Sequence, residues 1–173
     1  MTRHIDPMDL PAPMRPGAFR TLTAGERRLA HEMFGETLDS ARVWIFAIPV
    51  WPRAFVPGGR LLVWPAGQAA RDFSQASLML QGVFVHELTH VWQAQSGVNL
   101  LAAKLRAGDG REAYAYELSE TCDFSRLNIE QQAMVVQHAF LAARGGSAPY
   151  DGEAYARILE TWWAAGATRP RTL

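Results

Sequence analysis

Between Ser77 and Gln95 the chain reads SLMLQGVFVHELTHVWQAQ, and this stretch limits the possible folds more than any other. Phe84, Leu88 and Val91 recur at i, i+4 and i+7, the spacing of one helix face, and Gly97 stands where such a helix would end. The segment is largely apolar, yet its middle carries His86, Glu87 and His90. Two imidazoles and a carboxylate inside an apolar helix cost folding free energy unless they are paired or bound to an ion. The fold has to bring partners to them from elsewhere in the chain.

Four residues advance a helix by about 400°, so His86 and His90 project from one face a turn apart and can aim imidazole nitrogens at a single ion. The HExxH pattern is expected to bind zinc through these two histidines, with Glu87 beside them as general base. On that reading Glu87 accepts a proton from water activated by the zinc, and the water attacks a peptide carbonyl. A catalytic zinc needs a third protein ligand. Ser96 and Gln93 stand where the pattern HExxHxxGxxH has histidine and glycine, so that class is excluded. A later carboxylate remains, from Glu112, Glu117, Glu120, Asp123 or Glu130. Glu130 is preferred, because it stands in the first turn of a helix and Ala133, one turn on, is small enough for close packing against the histidine helix. Glu120 is the second choice, and Glu112 and Glu117 are expected to be solvated. Tyr114 and Tyr116 are candidate donors to the oxyanion of a tetrahedral intermediate. His138 is expected to be satisfied or exposed rather than a ligand, and Cys122 to be an inert thiol.

Composition narrows the alternatives. The 173 residues suit one domain. Basic and acidic residues balance at 17 each, which gives no support for a nucleic-acid binder. A single cysteine excludes an internal disulfide and a CxxC zinc site, so any metal must be held by His, Asp or Glu. Arg3, His4, Asp6, Pro7 and Asp9 interrupt any signal-like apolar stretch, and the run Val43 to Trp51 is far short of the roughly 20 residues that span a bilayer. The expectation is a soluble chain with no membrane span, cytoplasmic as encoded, with delivery by a secretion or injection apparatus left open. The neutral total hides an acidic segment, residues 112–130, expected to line the zinc cleft.

Residues 1–20 contain Pro7, Pro11, Pro13 and Pro16 and read as an extended leader that drapes over the domain or stays mobile, ahead of a single domain over 21–173. Thr23 and Glu26 make a capping box for a helix over about 24–35. Arg42 to Val50 reads as a strand, and two extended pieces around Pro57, Gly58 and Gly59 as a hairpin ending at Trp64. A short helix is expected to carry Tyr114, Tyr116 and Leu118. Asn128 with Gln131 opens a helix to about Arg144, and Asp151 caps a last one closed by Gly166 and containing Trp162 and Trp163 as core aromatics. Early strands followed by helices make an α+β domain.

The phrases LTAGERRLAHEMFG, LDSARVWIF, RAFVPGGRLLVWPAG and FVHELTHVWQAQSG, in that order, resemble the metallopeptidase-like domain of proteins associated with extracellular contractile injection systems, the eCIS-core domain. The chain is also similar to bacterial Vgr-related proteins. NIEQQAMVVQHAF resembles the glutamate helix of the broader zincin group, in which a Glu in an ExxA context is the third ligand. The resemblance implies a gluzincin-type zincin fold: a small N-terminal sheet packed on the HExxH helix, then a helical C-terminal half. By correspondence it implies zinc on His86, His90 and Glu130 with Glu87 as base. It also implies an edge strand, here the piece ending at Trp64, that holds an extended peptide or protein substrate by main-chain hydrogen bonds. The leading expectation is thus a zinc metallopeptidase. The alternative is a structural or cargo module of a contractile injection apparatus, type VI-like or phage-tail-like, with a vestigial or structural zinc, and a third is a helical binding module without metal.

Overall fold

The computed structural model describes residues 12–108 and 110–164, with the side chains of the last helix described as far as Glu160. In chain order the elements are β1 (Phe19–Thr21), α1 (Ala24–Phe34), β2 (Trp44–Ile48), β3 (Phe55–Gly58), β4 (Leu61–Pro65), α2 (Leu78–Gln95), α3 (Leu100–Ala107), α4 (Arg111–Tyr114), α5 (Ile129–Ala142) and α6 (Gly152–Ala164). A four-stranded sheet ordered β1-β2-β4-β3 is followed by helices, an α+β arrangement. β1 and β3 run antiparallel to their neighbours, while β2 and β4 pair in parallel.

The hairpin expected around Gly58 and Gly59 forms as β3 and β4. The strand ending at Trp64 is not an edge, however. Leu62, Val63 and Trp64 are all buried, and a strand apolar on both faces suits the middle of a sheet, where β4 lies between β2 and β3. The edges are β1 and β3, and the one that packs beside α2 and α3 is β3, whose Pro57 has no amide hydrogen to give a second partner. Of the leader expected over residues 1–20, the described part lies against the domain. Phe19–Thr21 pairs with β2, Met14 is buried with its amide 2.7 Å from the Ala69 carbonyl, and Gly17 donates to Ala47 at 2.7 Å, so the chain is bound to the domain from residue 12 onward. Residues 1–11, with Pro7 and Pro11, lie outside the described residues, as do Gly166 and the side chains of Trp162 and Trp163.

Local chemistry explains the helix starts. Thr23 and Glu26 form a reciprocal capping box on α1, and Asn128 and Gln131 form another on α5. Asp151 accepts from the Ala154 amide at 2.8 Å at the head of α6. The helix expected to carry Tyr114, Tyr116 and Leu118 stops at Tyr114, because the Ala115 carbonyl is taken by the Gln131 side-chain amide at 2.6 Å and the backbone there is extended.

The inner face of the sheet, Ile45, Ala47, Leu62 and Trp64, is fully buried. Trp64 packs on Phe73 at 4.4 Å between ring centroids, and Phe73 stacks on Phe84 of α2 at 4.8 Å. Each such aromatic pair contributes about 0.5–1.5 kcal/mol beyond its area burial, so this stack fixes α2 against the sheet. On its other side α2 meets α5 closely. A Cβ on Gly82 would lie 3.0 Å from a Leu141 methyl, and Ala133 is fully buried. Small residues at these points let the two backbones approach, which carries the first turn of α5 to the histidine face of α2.

Candidate metal centre

The polar face of α2 is set into a core that covers it without sealing it. Val85, Leu88 and Val91 have no exposure, whereas His86, Glu87 and His90 each keep 8%. From α5, Glu130 enters opposite them. Its Oε2 lies 3.5 Å from His86 Nε2 and 3.5 Å from His90 Nε2. Two atoms bound about 2.0–2.1 Å from one ion at tetrahedral angles sit about 3.4 Å apart, so this spacing suits a shared zinc. Among the described residues, these three form a group whose candidate ligand atoms all lie within 4.8 Å of one another, a group that could hold a metal ion.

Gln93, one turn beyond His90, fixes how that histidine points. Its Nε2 donates to the Ile129 carbonyl at 3.0 Å and to Gln132 Oε1 at 2.9 Å, so its Oε1 is the atom that faces His90 Nδ1 at 2.8 Å. An acceptor there requires the proton on Nδ1, so Nε2, on the Glu130 side, is the nitrogen whose lone pair the neutral ring could offer to an ion. The same amide ties α2 to the first turn of α5. Partners of this kind typically set metal affinity by 10- to 100-fold. Gln93→Ala is therefore expected to weaken zinc binding by about that factor in competition with a chromophoric chelator, and a change under about threefold would sink the assignment.

Glu130 is satisfied on both oxygens. Lys104 of α3 donates to its Oε1 at 2.6 Å and to the Tyr114 hydroxyl at 3.0 Å. Burial opposes the charged carboxylate, but the hydrogen bonds to His86 and His90, the His90 charge and Lys104 outweigh it and hold Glu130 well below the usual carboxylate range. For His90, burial disfavours the charged ring, and Glu130, Glu87 and Gln93 together raise its pKa nonetheless. Two buried atoms at the site lack a hydrogen-bond partner among the described residues, His86 Nδ1 and Glu87 Oε2. Of the two, the Glu87 oxygen belongs to a carboxylate outside the three-donor group, and nothing among the described residues bonds to it.

Of the residues singled out from sequence, His86, His90 and Glu130 are brought together, and Glu87 lies beside them. Tyr114 is one hydrogen bond away through Lys104. Tyr116 is drawn into a different cluster, its hydroxyl 2.5 Å from His138 Nδ1 and 2.8 Å from the Tyr155 hydroxyl, with burial and Tyr155 pushing its pKa upward. His138 is satisfied by that bond, and its pKa is lowered by burial and by His86. Glu112, Glu117, Glu120 and Asp123 are exposed and outside the group, so the acidic segment contributes Glu130 alone to the centre. Gln93 and Lys104 are the functional positions that sequence reading passed over. Gln93 lay on the histidine face at i+3 from His90, and Lys104 is the chain's one lysine, set in the apolar run of α3.

No protein-family model matches the chain. It is 36% identical to the type VI secretion system spike protein VgrG2b of Pseudomonas aeruginosa over 72% of its own length, and it spans 13% of that larger protein. Its structure is similar to that of the effector domain of Pseudomonas aeruginosa VgrG2b, with a TM-score of 0.66, 31% identity and 86% of each chain covered.

Proposed function

Because the chain belongs to the family of the VgrG2b effector domain, we propose that it is the hydrolytic module of a type VI-related effector, a zinc-dependent peptide hydrolase of zincin-like fold. The observation that carries this reading is the pairing of a three-donor group at zinc spacing with a buried, unpartnered carboxylate beside it. Three protein donors leave a tetrahedral ion one open position, the arrangement of catalytic rather than structural sites. The likeness to the VgrG2b effector domain supports an effector or cargo module of an injection system as such, and the unpaired Glu87 oxygen is what favours hydrolysis within that role.

His86, His90 and Glu130 would hold the ion. A zinc there supplies Lewis-acid chemistry, polarising a carbonyl and acidifying water. The chain's own residues do the rest. Glu87 Oε2, with no competing donor, is free to take a proton and pass it on. Gln93 keeps the His90 proton on Nδ1, and Lys104 occupies Glu130 Oε1 so that Oε2 is the oxygen left facing the histidines. Tyr114, held by Lys104, is the phenol best placed to donate to a developing oxyanion. The small sheet packed on the histidine helix supports the zincin-like reading, and the edge strand β3 beside α2 is the main-chain partner available to an extended peptide. No helix among the described residues is long and apolar enough to cross a membrane, which fits delivery by a secretion apparatus.

The test is zinc content together with cleavage of a peptide pool. Protein dialysed after zinc loading is expected to retain about one equivalent and to cleave, to lose cleavage with a chelator, and to regain it with zinc. Protein that retains no zinc overturns the site. Zinc retained without cleavage overturns the hydrolase.

A further inference from the structure

The outer face of the sheet is as apolar as the inner one. Register places Phe19 opposite Phe46, Phe46 opposite Val63, and Val63 opposite Phe55, so one apolar row crosses all four strands on the side away from the core. Phe19 and Phe46 stack at 4.3 Å, yet Phe19 remains 57% exposed and Trp44, in the next row, 47%. At the end of β2 the row continues into the loop 49–54. Val50 there is 88% exposed, and Trp51 is 52% exposed with its ring on the edge of Phe55.

The segments that build this sheet carry charge of one sign. From Ser40 to Arg71 the chain carries Arg42, Arg53, Arg60 and Arg71 and no Asp or Glu, and residues 12–21 carry Arg15 and Arg20 and again no acid. Arg20 is spent on Glu26, and Arg42 pairs with Asp39 at the far end of β2. Arg15 and Arg53 are exposed at the near end, where Gly17 bonds to Ala47 and Trp51 precedes Arg53, and neither has an ion pair among the described residues.

We propose that this face docks the domain on an anionic lipid bilayer, with Val50 and Trp51 entering the headgroup boundary and Arg15 and Arg53 binding lipid phosphates. Three features select a bilayer over a protein. Exposed loops are ordinarily polar, whereas residues 49–52 read Pro-Val-Trp-Pro, with the indole N–H as the sole side-chain donor. Pro49 and Pro52 have no amide hydrogen, which removes two of the backbone donors that make a loop costly to dehydrate. Tryptophan and arginine two positions apart, as Trp51 and Arg53 are, make the pair that interfacial segments use, the ring at headgroup depth and the guanidinium on phosphate. A second copy of the chain would instead set arginines against arginines.

The test is co-sedimentation of the full chain with phosphatidylcholine vesicles, with and without about one third phosphatidylglycerol. Binding is expected with the anionic vesicles and is expected to fade as salt rises. The double variant Val50→Ser/Trp51→Ser, at exposed positions, is expected to lower partitioning at least about tenfold, and Arg15→Gln or Arg53→Gln about fivefold each, with zinc content unchanged in all three. No pelleting with anionic vesicles overturns the proposal, as does equal pelleting with neutral ones or unaltered binding of the loop variant. A dimer of the parent chain that the loop variant abolishes, seen by light scattering at the same concentration, also overturns it and gives the face to a second copy.

Discussion

Glu87→Gln is expected to slow peptide hydrolysis by about a hundred- to ten-thousand-fold while leaving zinc binding intact. The two buried carboxylates of the centre stand in opposite settings. Glu130 is saturated, with the histidines on one oxygen and Lys104 on the other, and so is held in its charged form, the form that would bind an ion. Glu87 has an oxygen with no hydrogen-bond partner among the described residues and a side chain that keeps a small opening to solvent. That oxygen has no donor to displace before it takes a proton in a reaction, and an amide of the same shape cannot take one. Because glutamine fills the same volume and Glu87 lies outside the three-donor group, the variant separates chemistry from folding and from metal retention. Steady-state cleavage of a defined peptide beside zinc analysis checks this. Activity within about threefold of the parent would remove Glu87 from the reaction, and loss of zinc along with activity would make it a structural element of the site.

The second large effect lies far from the metal. Glu26→Ala is expected to lower the free energy of unfolding by about 3–5 kcal/mol, read from urea midpoints at unchanged slope. The Glu26 side chain is fully buried and accepts four hydrogen bonds, from Arg20 Nη1 and Nη2 at 2.6 Å each, from the Thr23 amide at 2.8 Å and from the Phe73 amide at 2.8 Å. Alanine leaves a part-buried guanidinium with half its partners and strands two amides. Arg20 Nε is already unpaired, so the loss cannot be shared there. One carboxylate thus fastens β1, the head of α1 and the turn that leads into α2. Glu26→Gln keeps the acceptor oxygen and loses the charge, and is expected to fall between the parent and alanine. In an Arg20→Ala background the alanine substitution is expected to cost much less, since the buried charge it would abandon has gone. A cost below about 1 kcal/mol in the parent would show that the cluster relaxes around the loss.

The histidine helix was legible because its signal is local. An i, i+4 pair inside an apolar segment fixes its own geometry wherever the helix is placed, and Asn128, Gln131 and Ala133 likewise announced a capped helix able to pack closely. What could not be read were positions fixed at long range. β1 is three residues long and takes its meaning from β2, whose residues lie 25 or so positions later. The burial of β4 between β2 and β3 depends on how the loop after β2 carries the chain past it, and no residue of β4 records that path. Lys104 meets Glu130 because α3 lies across α5, although its own surroundings in sequence are leucines and alanines. Tyr114 and Tyr116, alike in sequence, part company because one faces Lys104 and the other His138.

That lysine has a practical consequence for handling the protein. It supplies the chain's one side-chain amine, and it is engaged with the carboxylate that would hold the metal. Coupling through amines, the ordinary route to a sensor surface, a fluorescent dye or a cross-linked complex, therefore has the terminus and this one side chain to choose from. Every molecule modified at the side chain loses the ammonium that holds Glu130 Oε1. Preparations attached in that way would report a crippled centre as though it were the native one, so tethering belongs at a terminal tag.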